Sequence, residues 1–147
     1  MTDIRQLITD ILNRGYLLST ATVDDGGVWV SDVIYVHDAQ MNLYWLSQTA
    51  ARHSKAIVQN SQVAGTVTVS NNPGESNIGL QITGVAEKIE GDIFEIATAH
   101  RQKRGKPPPT RLGEILEEGE SWYCLRPKMI ELTYEPLFGF NKQKIEL

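Results

Sequence analysis

The chain has 147 residues, 18 acidic against 14 basic side chains, a formal charge of −4 and a pI near 5.3. That length suits a single domain spanning residues 1–147, and 41% hydrophobic with 22% charged residues excludes a disordered or collagen-like chain. Residues 1–100 hold 5 basic and 11 acidic side chains and residues 101–147 hold 9 and 7, so no nucleic-acid partner is expected and any anion site must be local.

The N-terminus, Met1-Thr2-Asp3-Ile4-Arg5, lacks the basic and apolar regions of a signal peptide, and no apolar run approaches the ~20 residues of a membrane span. A soluble cytoplasmic protein with no membrane partner is therefore expected. Ile4, Leu7, Ile8, Ile11 and Leu12 recur at helical spacing, so residues 3–14 read as an amphipathic helix capped by Thr2 or Asp3 and ended by Gly15. Tyr16–Val23 reads as a strand, the Asp24-Asp25-Gly26-Gly27 run as a turn, and Val28–Val36 as a strand that becomes more buried along its length. His37–Gln40 turns the chain into a further strand, Asn42–Ser47.

Thr49 is a plausible cap for a second helix, Ala50–Gln59. Gln62–Ser70 reads as a strand, Asn71–Asn77 as a loop, and Gly79–Glu90 as a long strand in which Gly84 marks a bulge. A third helix starts at Asp92 and dissolves into Arg101–Pro109, where prolines forbid helix. Leu112–Glu118 suggests a short helix, and Trp122–Leu125 and Met129–Tyr134 read as strands separated by Arg126-Pro127-Lys128. The sum is a mainly β fold with α decoration, a six- or seven-stranded antiparallel barrel.

The stretch most suggestive of chemistry is Leu46-Ser47-Gln48-Thr49-Ala50-Ala51-Arg52-His53-Ser54-Lys55. A strand ends there and a helix begins, so unpaired N–H groups and the macrodipole favour an anion. Ser47 and Thr49 add hydroxyl donors, and Arg52 adds a planar fork suited to phosphate oxygens. On these grounds alone a capped surface helix with solvated charges is at least as good a reading.

The run Ala51-Arg-His-Ser-Lys-Ala-Ile-Val-Gln-Asn60-Ser-Gln-Val63, preceded by Tyr44-Trp-Leu-Ser47, resembles the pyridoxamine-phosphate-oxidase-like split-barrel family. Ile82-Thr-Gly84-Val-Ala-Glu87-Lys88-Ile89 and Tyr123-Cys-Leu-Arg-Pro127-Lys-Met-Ile-Glu131 resemble its later strands, so the likeness runs in order across residues 16–135. The Gly139-Phe140 ending is similar to that of a bacterial subgroup set apart from the true oxidase.

The resemblance implies a homodimeric split barrel with FMN at the subunit interface. It places Ser47 near the flavin phosphate, with Arg52 and His53 as the basic pair that holds it and Leu46, Gln48 and Thr49 flanking them. It sets Ser31, Asp32, Val33 and Ile34 on the strand whose backbone borders the ring, and makes Gln81 a contact from a later strand. Ser31 and Val36 stand where the oxidase has cations, His53 replaces a lysine, Ser61 a proline and Thr133 a tryptophan. The implied function is an FMN-dependent oxidoreductase acting on a small molecule, with no catalytic acid or base assigned and no oxidation of pyridoxamine phosphate. The alternatives are a non-catalytic flavin binder or sensor, and a split barrel using deazaflavin F420 or haem.

Elsewhere, His37, His53 and His100 lie on different elements without ligand spacing, so no metal is expected. Cys124, the one cysteine, reads as a small buried hydrophobe. Trp29, Trp45 and Trp122 read as packing groups, and Arg101–Arg111 as a solvated loop.

Overall fold

The computed structural model describes residues 2–147. Helix α1 (Ile4–Arg14) opens the chain, capped by the Asp3 carboxylate, which accepts from the Gln6 N–H. Strands β1 (Leu17–Asp24), β2 (Gly27–Ile34), β3 (Val36–His37) and β4 (Leu43–Gln48) follow, then helix α2 (Arg52–Gln59). Next come β5 (Gln62–Thr68), β6 (Ile78–Ile89), helix α3 (Phe94–Lys103), β7 (Glu120–Tyr134), the short helix α4 (Glu135–Phe138) and β8 (Gln143–Glu146).

All strand pairs are antiparallel, in the order β2-β1-β5-β6-β7-β4-β3, with β8 added to the free end of β7. The two terminal strands of this path, β2 and β3, are separated in the chain by one residue, Tyr35. A sheet whose opposite edges are joined by one residue must curl back on itself. It is an antiparallel split barrel, with its seam at Tyr35.

Alternation fills the barrel. Leu18, Val33, Leu43, Trp45, Val63, Val67, Leu80, Ile82, Leu125, Ile130 and Leu132 point inward, and α1 adds Ile8, Ile11 and Leu12. The Tyr35 hydroxyl donates to the Leu12 carbonyl at 2.7 Å, which ties α1 to the seam. A smaller cluster of Ala97, Ile115 and Trp122 lies under α3.

Helix α3 also clasps the seam. His100 Nε2 donates to the Ile34 carbonyl at 3.1 Å, and Lys103 Nζ donates to the Tyr35 carbonyl at 2.7 Å while lying 3.6 Å from the Tyr35 ring centroid. Those two carbonyls sit where the chain leaves one sheet edge and reaches the other, so side chains take the place of ladder partners.

Several sequence expectations change. Residues 120–134 form one strand: Gly84 pairs with Pro127 and Thr83 with Met129, so Lys128 is the extra residue of a bulge on β7. Pro127 is tolerated there because a bulge spares it a ladder hydrogen bond. Gly84 is required, since a Cβ would meet the Arg126 carbonyl oxygen at 2.2 Å. Helix α2 starts at Arg52, and Thr49 does not cap it: its Oγ and N–H both donate to the Gly119 carbonyl. Helix α3 continues to Lys103, residues 112–114 make only a 3-10 turn, and β8 and α4 had no sequence signal. Among the described residues no helix is long and apolar enough to cross a membrane.

Candidate functional site

Strand β4 ends at Gln48, paired to Glu120, and the chain turns through Thr49 and Ala50 into α2. No side chain caps α2: Ala51 occupies the cap position, and the N–H groups of the first turn point out of the helix end. Ser47, on β4 beside Ser121, reaches the next helical turn, where its Oγ lies 3.0 Å from His53 Nε2. Burial holds the His53 imidazole below its ordinary value of 6.5. The ring is therefore mainly neutral at pH 7, a hydrogen-bonding partner of Ser47.

Arg52 has a different engagement. Its Nε and Nη2 grip Asp24 Oδ2 and Oδ1 at 2.9 and 3.1 Å, and its guanidinium lies 4.5 Å from the centroid of the Trp29 ring. The Arg52 hydrogen bond holds the Asp24 carboxyl below its usual range, and the same bond raises Arg52. The fork assigned to phosphate on sequence thus has an internal carboxylate on one edge, leaving Nη1 and one Nη2 hydrogen for another ligand. Trp29 is not core: it is half exposed on β2, whereas Trp45 and Trp122 are buried.

The β2 segment divides by alternation. Val33 points into the core, while Asp32 points out and accepts from the Ser19 hydroxyl. The Ser31 carbonyl accepts from the Thr20 hydroxyl and the Ile34 carbonyl from His100. Among the described residues the far edge of β2 has no partner strand. Leu46 packs toward Trp122 in the smaller cluster.

Gln81 lies elsewhere. It is on the outer face of β6, where its Oε1 accepts from Lys142 Nζ at 2.7 Å. It lines a groove of about 460 Å³ together with Thr66, Thr133 and Phe140. Ser47 pairs with Ser121 and Gln81 with Glu131, ten residues apart on β7, which is roughly 33 Å of strand. One chain therefore brings Ser47, Gln48, Thr49, Arg52 and His53 together and leaves Gln81 apart.

Cys124 is buried as expected, and burial pushes its thiol up to about 11, which makes it a poor nucleophile. Ser54, which the sequence offers with Thr49 as a helper in holding the phosphate, is buried with its hydroxyl unpaired. Asp24 and Trp29 were missed: they meet Arg52 from a hairpin 28 and 23 positions away in sequence, and no local pattern encodes such a pairing.

Solved structures with this architecture include a Listeria innocua protein provisionally named a pyridoxamine 5'-phosphate oxidase (TM-score 0.70, 18% identity, 88% of this chain and 98% of that one). An F420 reductase (0.64, 18%, 88% and 98%) and a haem-binding protein from Mycobacterium smegmatis (0.71, 15%, 99% and 59%) also match. At these identities the likeness shows the fold: the split barrel shared by pyridoxamine-phosphate-oxidase-like proteins. No family model matches the chain. In sequence, a UPF0306 protein of Yersinia pseudotuberculosis is 28% identical over 142 residues, covering 96% of this chain and 82% of that protein. A UPF0306 protein of Serratia proteamaculans is 30% identical over 104 residues, covering 70% of this chain and 72% of its own length, and on this match the chain belongs to the UPF0306 family.

Proposed function

We propose that the chain is an FMN-dependent oxidoreductase acting on a small molecule, and that it works as a homodimer. The observation that carries this reading is the uncapped start of α2 facing Ser47, Thr49 and His53 beside the unpaired edge of β2. A helix N-terminus with hydroxyl donors and a titratable imidazole suits a phosphate monoester dianion. An open strand edge offers main-chain donors and acceptors to a flat heterocycle whatever the side chains are.

These residues fit the flavin. The phosphate would rest on the first turn of α2, Ser47 and His53, with the free hydrogens of Arg52 turned toward it. Its two negative charges would raise the His53 pKa and supply the protonated form. Bound FMN supplies the redox chemistry; the protein supplies position and electrostatics. Ser31, Asp32, Val33 and Ile34 would border the ring through the backbone, which explains why Val33 can keep its side chain in the core.

Two features support the dimer. Val28 and Val30 stand 69% and 62% exposed on the unpaired strand β2, a costly arrangement for a lone protomer. Gln81 joins the phosphate residues only if a second copy brings its β6 face to them. Strand β4 offers no such surface, because Leu43 and Trp45 are in the core.

The visible spectrum of the purified protein, followed by titration with FMN, F420 and haem, tests the cofactor. An oxidised-flavin spectrum and the tightest binding by FMN are expected. The haem-binding and F420-reductase structures of the same fold make a haem Soret band or preferential F420 binding the outcomes that replace this reading. Reduction of the bound flavin by a reduced nicotinamide, with turnover, distinguishes an enzyme from a flavin binder or sensor.

A further inference from the structure

Helix α2 has a second polar flank, at Ser54 and Lys55, and Lys55 stands between this flank's hollow and that of Asp24 and Arg52. On β6, Leu80, Ile82 and Ala86 are buried at alternate positions. Lys88 continues that alternation, so it leaves the sheet on the inner side, at the rim of the barrel. Its cross-strand neighbour is Tyr123, whose own neighbour on the other side is Trp45. The Trp45 and Tyr123 rings stack at 6.1 Å and both are buried. The inner row at this level thus runs Trp45, Tyr123, Lys88, ending in a cation.

Helix α2 crosses above that row and supplies Ser54 and Lys55, and together with Thr49 and Lys88 they enclose a hollow of about 300 Å³. This lies at the small end of the range for ligand sites. Among the described residues no acidic side chain lines it. Among the described residues, neither Lys55 nor Lys88 has a side-chain ion pair or hydrogen bond, unlike Arg52, Arg126 and Lys142. The Ser54 hydroxyl is 1% exposed and has no hydrogen-bond partner. A buried hydroxyl left unpaired destabilises the fold, and alanine would fill the same place without that penalty.

We propose that this hollow binds the phosphate group of a small ligand, or free phosphate, through the Ser54 hydroxyl and the ammonium groups of Lys55 and Lys88. The ligand completes the missing hydrogen bond of Ser54 and neutralises two lining cations that have no acidic partner in the hollow. The site differs from the one at Ser47 and His53, because Ser54 leaves the helix roughly 100° beyond His53 and Lys88 comes from β6; Thr49 borders both. It does not depend on flavin being bound.

Titration of the full chain with inorganic phosphate and with glycerol phosphate, followed by amide chemical shifts and calorimetry, tests it. Sodium chloride at matched ionic strength is the reference. Saturable binding is expected, with the largest shifts at Ser54, Lys55 and Lys88. Stronger binding of the ester identifies a phosphorylated ligand, and equal or weaker binding identifies free phosphate. Lys55→Gln and Lys88→Gln are each expected to weaken binding roughly five- to tenfold. Ser54→Ala should weaken it while leaving the unfolding midpoint unchanged or raised, a combination that a purely structural serine would not give. His53→Ala should leave phosphate binding at this pocket intact. The proposal is overturned if chloride reproduces the shifts, if the lysine variants bind as wild type, or if His53→Ala abolishes the response.

Discussion

Arg52 and Asp24 meet fork to carboxylate, at 2.9 and 3.1 Å, across the gap between α2 and the β1–β2 hairpin, with Trp29 beneath the guanidinium. The pair joins the candidate phosphate residues to the strand proposed to carry the flavin ring. Asp24 holds one edge of the fork, and its negative charge opposes a phosphate brought to the donors that remain.

Opposite effects are expected at the two ends of that pair. Arg52→Ala should weaken FMN binding by roughly ten- to 150-fold, the range of a charge-assisted contact. Asp24→Asn should strengthen binding, because the fork loses its competing carboxylate. Flavin fluorescence quenching measures both. Equal affinity in wild type and Arg52→Ala would remove Arg52 from the site.

His53 should make FMN affinity depend on pH. Its imidazole is held below 6.5 in the free protein, and phosphate favours the protonated form. Affinity should therefore rise as pH falls from 8 toward 6, and His53→Ala should flatten the profile. Repeating the titration at several pH values reads the slope.

A second histidine should govern acid stability. His100 is buried, and burial, followed by repulsion from Arg104, lowers it from 6.5 to about 4. Its Nε2 carries the proton given to Ile34, so Nδ1 is bare and has no partner. A depressed histidine stabilises the fold fully above 6.5. That contribution is lost as pH falls from 6.5 to 4, because the unfolded chain takes up the proton first. The loss is roughly 3 kcal/mol over this window. Urea unfolding at pH 7, 5.5 and 4.5 should show the decline, and His100→Gln should reduce it.

Gly84→Ala should destabilise the barrel by about 2 kcal/mol or more, since the new methyl would meet the Arg126 carbonyl at the bulge. A lower urea midpoint with unchanged slope is the expected readout. An unaffected midpoint would mean that the β6–β7 bulge is able to open.

If β2 forms the dimer interface, Val28→Glu with Val30→Lys should convert a particle of twice 16.4 kDa into one of 16.4 kDa without changing the far-ultraviolet dichroism. Sedimentation velocity measures the change. A wild-type monomer at micromolar concentration would remove the dimer from the proposed function.

Local pattern was enough for most elements. The apolar spacing of Ile4 to Leu12 specified α1, the Asp-Asp-Gly-Gly run specified the first hairpin, and alternation specified β5 and β6 with the irregularity at Gly84. These signals lie within one turn or one strand, so composition and periodicity express them directly. The grouping of Ser47 with His53 was also legible, because six residues of strand-to-helix turn connect them. Tertiary structure decided what pairs over distance: the Arg52 grip on Asp24, the seam clasp of His100 and Lys103 on Ile34 and Tyr35, and the burial of Ser54 opposite Lys88. Each arises from the curl of the sheet, which brings its first and last strands together at Tyr35. Whether a charged side chain is solvated or engaged depends on that closure, and no window of sequence around Arg52 contains the carboxylate that holds it.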